Sequence, residues 1–162
     1  MVDFSGVNGT WINCGASVTP WNTALTSEEI EPVANDFNNV GGMSDYLGRN
    51  ANPYDYGYIV ELAPDGAVDS VAKHYAMGRF SHEVASIAAD QRTAYFGDDG
   101  TNTMMFRFVA AQAGDLSAGT LYAAHVTQQG GTGADHYFLL DWIELGTSTD
   151  ADVEAAIRAL DR

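Results

Sequence analysis

Seven short apolar segments, separated by turn signals at intervals of about 8–15 residues, run through this chain of 162 residues and restrict it to an all-β layout. They are Tyr56–Leu62, Lys73–Phe80, Glu83–Ala88, Thr93–Gly97, Met104–Val109, Gly119–Val126 and Tyr137–Leu145. Trp11–Cys14 adds a short strand or strand end. Strands this brief and this regularly interrupted suit a sandwich, a barrel or a propeller. The high share of glycine, 17 residues, and the low share of charged residues, 18%, agree with many strands joined by tight turns.

Between the strands the punctuation is specific. Pro20-Trp21 makes a rigid corner, and Ala63-Pro64-Asp65-Gly66 reads as a turn in which proline sets φ and glycine permits positive φ. Thr26 or Ser27 is placed to cap a short helix through Glu28, Glu29 and Ile30. The stretch Asp36–Asn52, rich in Asn, Gly and Asp, reads as a long loop of the kind that often carries function. A terminal helix is expected from about residue 150. Ser148-Thr149-Asp150 supplies its N-cap, Val153, Ile157 and Leu160 share one face, and Glu154 lies four residues before Arg158.

With 22 acidic against 7 basic residues the formal net charge is −15. A chain so acidic is a poor partner for nucleic acid or for an anionic membrane surface, because both demand a basic face. No apolar run of about 18 residues is present to span a bilayer. Met1-Val2-Asp3-Phe4-Ser5 has neither the basic start nor the apolar core of an export signal, so the protein is expected either to stay in the cytoplasm or to lack its exported start here. The acidic excess has two readings. It is a solvated surface, or some of its carboxylates gather around hard cations.

Cys14 is the only cysteine, so it forms no internal disulfide and is a core thiol, a reactive thiol or a metal ligand. Gly15-Ala16-Ser17 after it lets the backbone approach a ligand closely. Glu28-Glu29 follows, either as ligands or as charges serving a helix dipole. Glu61 falls among apolar neighbours in YGYIVEL, on the same side as Ile59, where a carboxylate is costly unless paired or metal-bound. The alternative is an edge or solvent-facing position. Arg79-Phe80-Ser81-His82-Glu83 is either a catalytic corner or a polar loop, and His82 either a base or ligand or a plain hydrogen-bonded residue. Asp98-Asp99-Gly100 suits Ca²⁺ or simply a turn. Walker A, HExxH, CxxC, GxSxG and GxGxxG patterns are absent. His125 and His136 are isolated.

Taken in order, NCGASVTPWNTALTSEE, YGYIVEL, MGRFSHE, AYFGDDG with MMFRFV, and GTLYAAHV resemble the PhoX-type alkaline phosphatases over roughly residues 9–145. The resemblance implies a β-propeller and hydrolysis of phosphate monoesters with iron and calcium. On it, Cys14 matches an iron-ligating thiolate, Glu29 a carboxylate ligand and Glu61 a second one. Glu83, with Asp98 and Asp99, lies near the metal centre, and Arg79 is a candidate phosphate contact. Thiolate and carboxylates together form a mixed donor set suited to iron, with further carboxylates for calcium. Asn22 stands where the family has glycine. A complete enzyme of this type is much longer, with a substrate-binding Arg-Pro-Glu element expected shortly after a helix like that at 150–161.

The expectation is therefore a mainly β fold of antiparallel strands, about two to three blades of a propeller, with a C-terminal helix and the whole of 1–162 as one β-rich domain of a larger propeller. The implied substrate is a small phosphate monoester, with no nucleic acid or membrane partner and a homo-oligomer as one way to cover open sheet edges. The parent family implies a periplasmic or extracellular site. The alternatives are a non-catalytic propeller-like binding or structural module that keeps its cation sites, and a β domain whose acidic residues are all surface.

Overall fold

The structure, a computed structural model, describes residues 2–33, 40–64, 71–131 and 136–160. Two antiparallel meanders follow one another along the chain. The first sheet takes β1 (Asn13–Val18), β2 (Ala24–Glu28), β3 (Ile59–Leu62) and β4 (Val71–His74) in sequential order. The second takes β5 (His82–Ile87), β6 (Thr93–Asp98), β7 (Met105–Gln112), β8 (Asp115–Gln129) and β9 (Tyr137–Thr149), again in order. Helix α1 (Gly41–Leu47) lies between β2 and β3, and α2 (Asp150–Leu160) follows β9. The fold is mainly β with a terminal helix, as the alternating apolar segments require. The two sheets do not close on themselves.

Each sheet presents one apolar face to the other. Leu25 and Ile59 of the first sheet meet Ala85, Ala94, Phe96, Phe106, Phe108 and Ala123 of the second, with Met77 also in this core. Phe108 is fully buried, and burying a side chain of that size stabilises by about 1.5–3 kcal/mol. Phe80 stacks on Phe106 at 4.3 Å between centroids. Small alanines on β5, β6 and β8 leave room for these rings, so the sheets approach closely.

Four sequence expectations need correction. The helix expected from Thr26 to Ile30 is strand β2, central between β1 and β3; Leu25 and Ser27 point inward with Thr26 between them half-exposed, which is a period of two. The 36–52 loop contains α1, whose double-glycine start hides it and whose buried Met43 anchors it; 36–39 lie outside the described residues. The strand expected to run to Phe80 stops at His74. There the chain turns through a 3-10 segment, Tyr75–Met77, and Gly78 at φ +94° redirects it. On α2, Ile157 is buried against Tyr58 and Tyr75 as expected, but Leu160 is exposed. Asp65 and Gly66 of the expected turn lie outside the described residues.

Other local readings hold. Thr149 caps α2, its hydroxyl accepting from the Asp152 backbone N–H at 3.1 Å. Asn22, standing where glycine was expected, adopts φ +66°, a left-handed conformation that asparagine tolerates better than most residues.

Candidate metal centre

The two sheets begin alike. In the first, Asn13 pairs with Glu28, and the register then slips before Ala16 pairs with Thr26. In the second, His82 pairs with Asp98, and the register slips before Ala85 pairs with Phe96. Cys14 and Glu83 thus occupy the same place, the start of the irregular stretch of an entering strand. Glu29 and Asp99 occupy the position just past the partner strand. Bulges re-aim side chains and recur beside active sites.

These equivalent positions meet because β1 packs on β5. A Cβ on Gly15 would stand 2.8 Å from Val84 Cβ and closer still to the Glu83 carbonyl oxygen, so only glycine permits the approach. Ser17 on β1 donates to the Ala85 carbonyl at 2.5 Å, which ties the two strands together. The outcome is a cluster in which one carboxylate oxygen each of Glu29, Glu83 and Asp99 lies within 4.8 Å of the other two. The Cys14 thiol, exposed, hydrogen-bonds to Glu29.

The electrostatics are those of crowded like charges. The hydrogen bond to Glu29, partial burial and the negative charges of Glu29 and Glu83 push the Cys14 thiol up. Burial, then the charges of Asp99 and Glu29, push the Glu83 carboxyl up as well. Asp98 is raised by burial and by the Glu31 charge. Glu31 accepts from the Ser81 hydroxyl, so a further carboxylate lies at this edge. Such a set either keeps protons or takes a cation. A thiol with three convergent carboxylates fits both a transition metal such as iron and a hard cation such as calcium.

Glu28, adjacent to Glu29, faces the opposite way. It is fully buried, pairs with Lys73 at 3.0 Å, and accepts from the backbone of Trp11, Gly57 and Tyr58 at 3.0, 2.8 and 3.0 Å. Strand alternation puts one glutamate in the interior and its neighbour at the site.

The remaining candidates lie elsewhere. Glu61 pairs in register with Leu25, four positions back along β2 from Glu29, or about 13 Å at strand rise. Its oxygens bind His74 Nε2 at 2.9 Å, Trp21 Nε1 at 2.7 Å and the Thr23 hydroxyl. His74 Nδ1 in turn meets Asp150 of α2 at 3.2 Å. The paired alternative for Glu61 is the one realised. Arg79 donates to the carbonyls of Tyr56, Pro32 and Pro53 at 2.9, 2.6 and 3.1 Å and lies over the Tyr54 ring, closing loops together. His82 is buried between Phe80 and Phe96 with Nε2 on the Gly78 carbonyl at 3.1 Å; burial holds it down to about 4, neutral in the core. His125 and His136 are exposed. Asp99 is the member that sequence reasoning placed least firmly. The matching offsets Asn13–Cys14 with Glu28–Glu29, and His82–Glu83 with Asp98–Asp99, are the signal that locates it.

Residues 2–160 match the family model described as alkaline phosphatase PhoX. Among solved structures the chain is similar to Pseudomonas fluorescens PhoX, determined in complex with vanadate, a transition state analogue. The TM-score is 0.58 and the identity 24%, over 94% of this chain and 35% of that one. That likeness shows the fold, and this chain spans about a third of that protein's length. No curated protein matches the chain.

Proposed function

The chain belongs to the alkaline phosphatase PhoX family, and we propose on that premise that it carries part of the metal centre of a phosphate monoester hydrolase, with Cys14, Glu29, Glu83 and Asp99 as the ligands. The observation that carries this reading is the convergence of three carboxylates and a thiol from four different strand ends. In this reading iron takes the Cys14 sulfur and neighbouring carboxylates, and calcium the remaining oxygens. Bound cations would polarise a phosphoryl oxygen and acidify a water.

The chain's own residues then have defined tasks. Cys14 must give up its proton, against the pull of the Glu29 and Glu83 charges, to become a ligand. The carboxylates collect positive charge where the phosphate dianion of a small monoester would otherwise be repelled. Glu61 is left out of the ligand set, because His74, Trp21 and Thr23 occupy its oxygens. Arg79 is left out of substrate contact, because backbone carbonyls hold its guanidinium. A periplasmic or secreted setting follows from the same premise. No helix among the described residues is long and apolar enough to cross a membrane.

A phosphatase assay with added iron and calcium, run beside calorimetric titration of each cation, tests the proposal. Cation uptake with hydrolysis, both reduced in Cys14→Ser, is the expected outcome. Uptake without hydrolysis would favour the second reading, a non-catalytic module with cation sites. The chain's span of 35% of the solved relative supports that reading. No uptake of either cation would overturn both.

A further inference from the structure

Strand β9 ends the second sheet, and among the described residues it pairs with β8 alone. Six large apolar side chains on it, Tyr137, Phe138, Leu139, Leu140, Ile143 and Leu145, stand 40–62% exposed. They fall on both faces, since 137, 139, 143 and 145 alternate with 138 and 140. The strand is nonetheless firmly held. Twelve of its positions pair with β8, and Trp142 packs on Tyr95 at 5.9 Å and beneath the Arg107 guanidinium at 4.7 Å.

Natural edge strands are guarded by lysines, prolines or short length. β9 has 13 residues and contains no lysine, arginine or proline; its charges are Asp141 and Glu144. On a chain with 22 acidic residues, this is a stretch of low charge density. Free side chains of this size carry on the order of 150–250 Å² each, so the exposed half of six comes to about 600 Å² per copy. A standard interface takes about 800 Å² per partner, and the strand's own edge would supply most of the rest. One strand edge can satisfy another copy of itself, because antiparallel pairing about a two-fold axis sets the same donors, acceptors and apolar faces against each other.

We propose that β9 is the interface of a two-fold dimer, in which the β9 edges of two copies pair antiparallel into one continuous sheet and cover these apolar side chains. The inference is independent of the phosphatase reading. Two copies at −15 each repel, so the dimer tightens as salt screens them.

Sedimentation velocity on the chain from about 1 to 100 µM, at low and high salt, tests it. A concentration-dependent dimer that strengthens with salt is expected. Phe138→Lys with Leu140→Lys should weaken it at least about tenfold. Far-UV circular dichroism should stay unchanged, since both side chains are exposed; Ile143→Lys serves if the pair misfolds. Amide exchange gives a direct reading: β9 amides not bonded to β8 should be protected at high concentration and lose that protection on dilution. A monomer throughout the range at both salts would overturn the proposal and leave the face to another segment of a longer protein. A dimer that survives the lysine variants with no concentration-dependent protection in β9 would overturn it equally.

Discussion

Glu28 and Glu29 are neighbours with opposite fates, and the alternation of a single strand decides which of them reaches the metal centre. Glu28 is locked by Lys73 and three backbone N–H groups, so Glu28→Leu would leave a buried lysine and orphaned donors, at a cost of about 3–5 kcal/mol in chemical denaturation. Glu83 behaves differently. Glu83→Gln removes one of three crowded charges, so the cation-free protein should melt higher while the stabilisation on adding calcium shrinks. Scanning calorimetry with and without calcium reads both. An undiminished calcium shift would remove Glu83 from the site. The two buried histidines set the pH dependence. Burial opposes charge on His74, but its hydrogen bonds to Asp150 and Glu61 and their charges outweigh it and push its pKa up to about 9. Its contribution is full below the ordinary value of 6.5 and is lost as pH rises through about 9. His82, held down to about 4 by burial, contributes fully above 6.5 and loses that contribution as pH falls through about 4. Urea unfolding across this range should show highest stability near pH 6–7, falling on both sides. His82→Phe should flatten the acid limb and leave the alkaline limb.

At the scale of elements, the irregular stretches at Asn13–Ala16 and His82–Ala85 do the positioning. Gly15→Val would drive a side chain into Val84 and the Glu83 carbonyl, so β1 must move off β5. Calcium binding measured by calorimetry should fall sharply, although residue 15 carries no ligand atom. Thr149→Ala removes the cap of α2 and should cost about 1 kcal/mol. The strands and this cap were legible because they depend on local alternation and local side-chain-to-backbone bonds. The stretch Ala24–Glu28 was misread because Thr-Ser-Glu-Glu imitates a capping box, and only pairing on both sides makes it a strand. Helix α1 was missed because two glycines begin it and tertiary burial of Met43 sustains it.

At the scale of the molecule, one apolar layer between two meanders holds the fold. Phe108→Ala should cost about 3–5 kcal/mol, since alanines from neighbouring strands cannot fill the space. The acidic excess acts on the whole chain. Added salt should raise the midpoint of unfolding by screening self-repulsion, and calcium should raise it further at equal ionic strength if it binds the cluster.

The alternating apolar segments, the turn residues and the missing basic surface were enough, by themselves, to determine a mainly β chain with a terminal helix. The residue order NCGASVTPWNTALTSEE through GTLYAAHV was enough to point to the PhoX family, because each of these is a property of neighbouring residues. Which acidic residues form a site was decided by tertiary structure alone. Glu29, Glu83 and Asp99 are brought within 4.8 Å by the contact of two sheets, while Glu61, equally suspicious in sequence, is turned to a histidine that the chain supplies thirteen positions later. Strand alternation names the face a carboxylate takes; only the packing of one sheet on another says what that face meets.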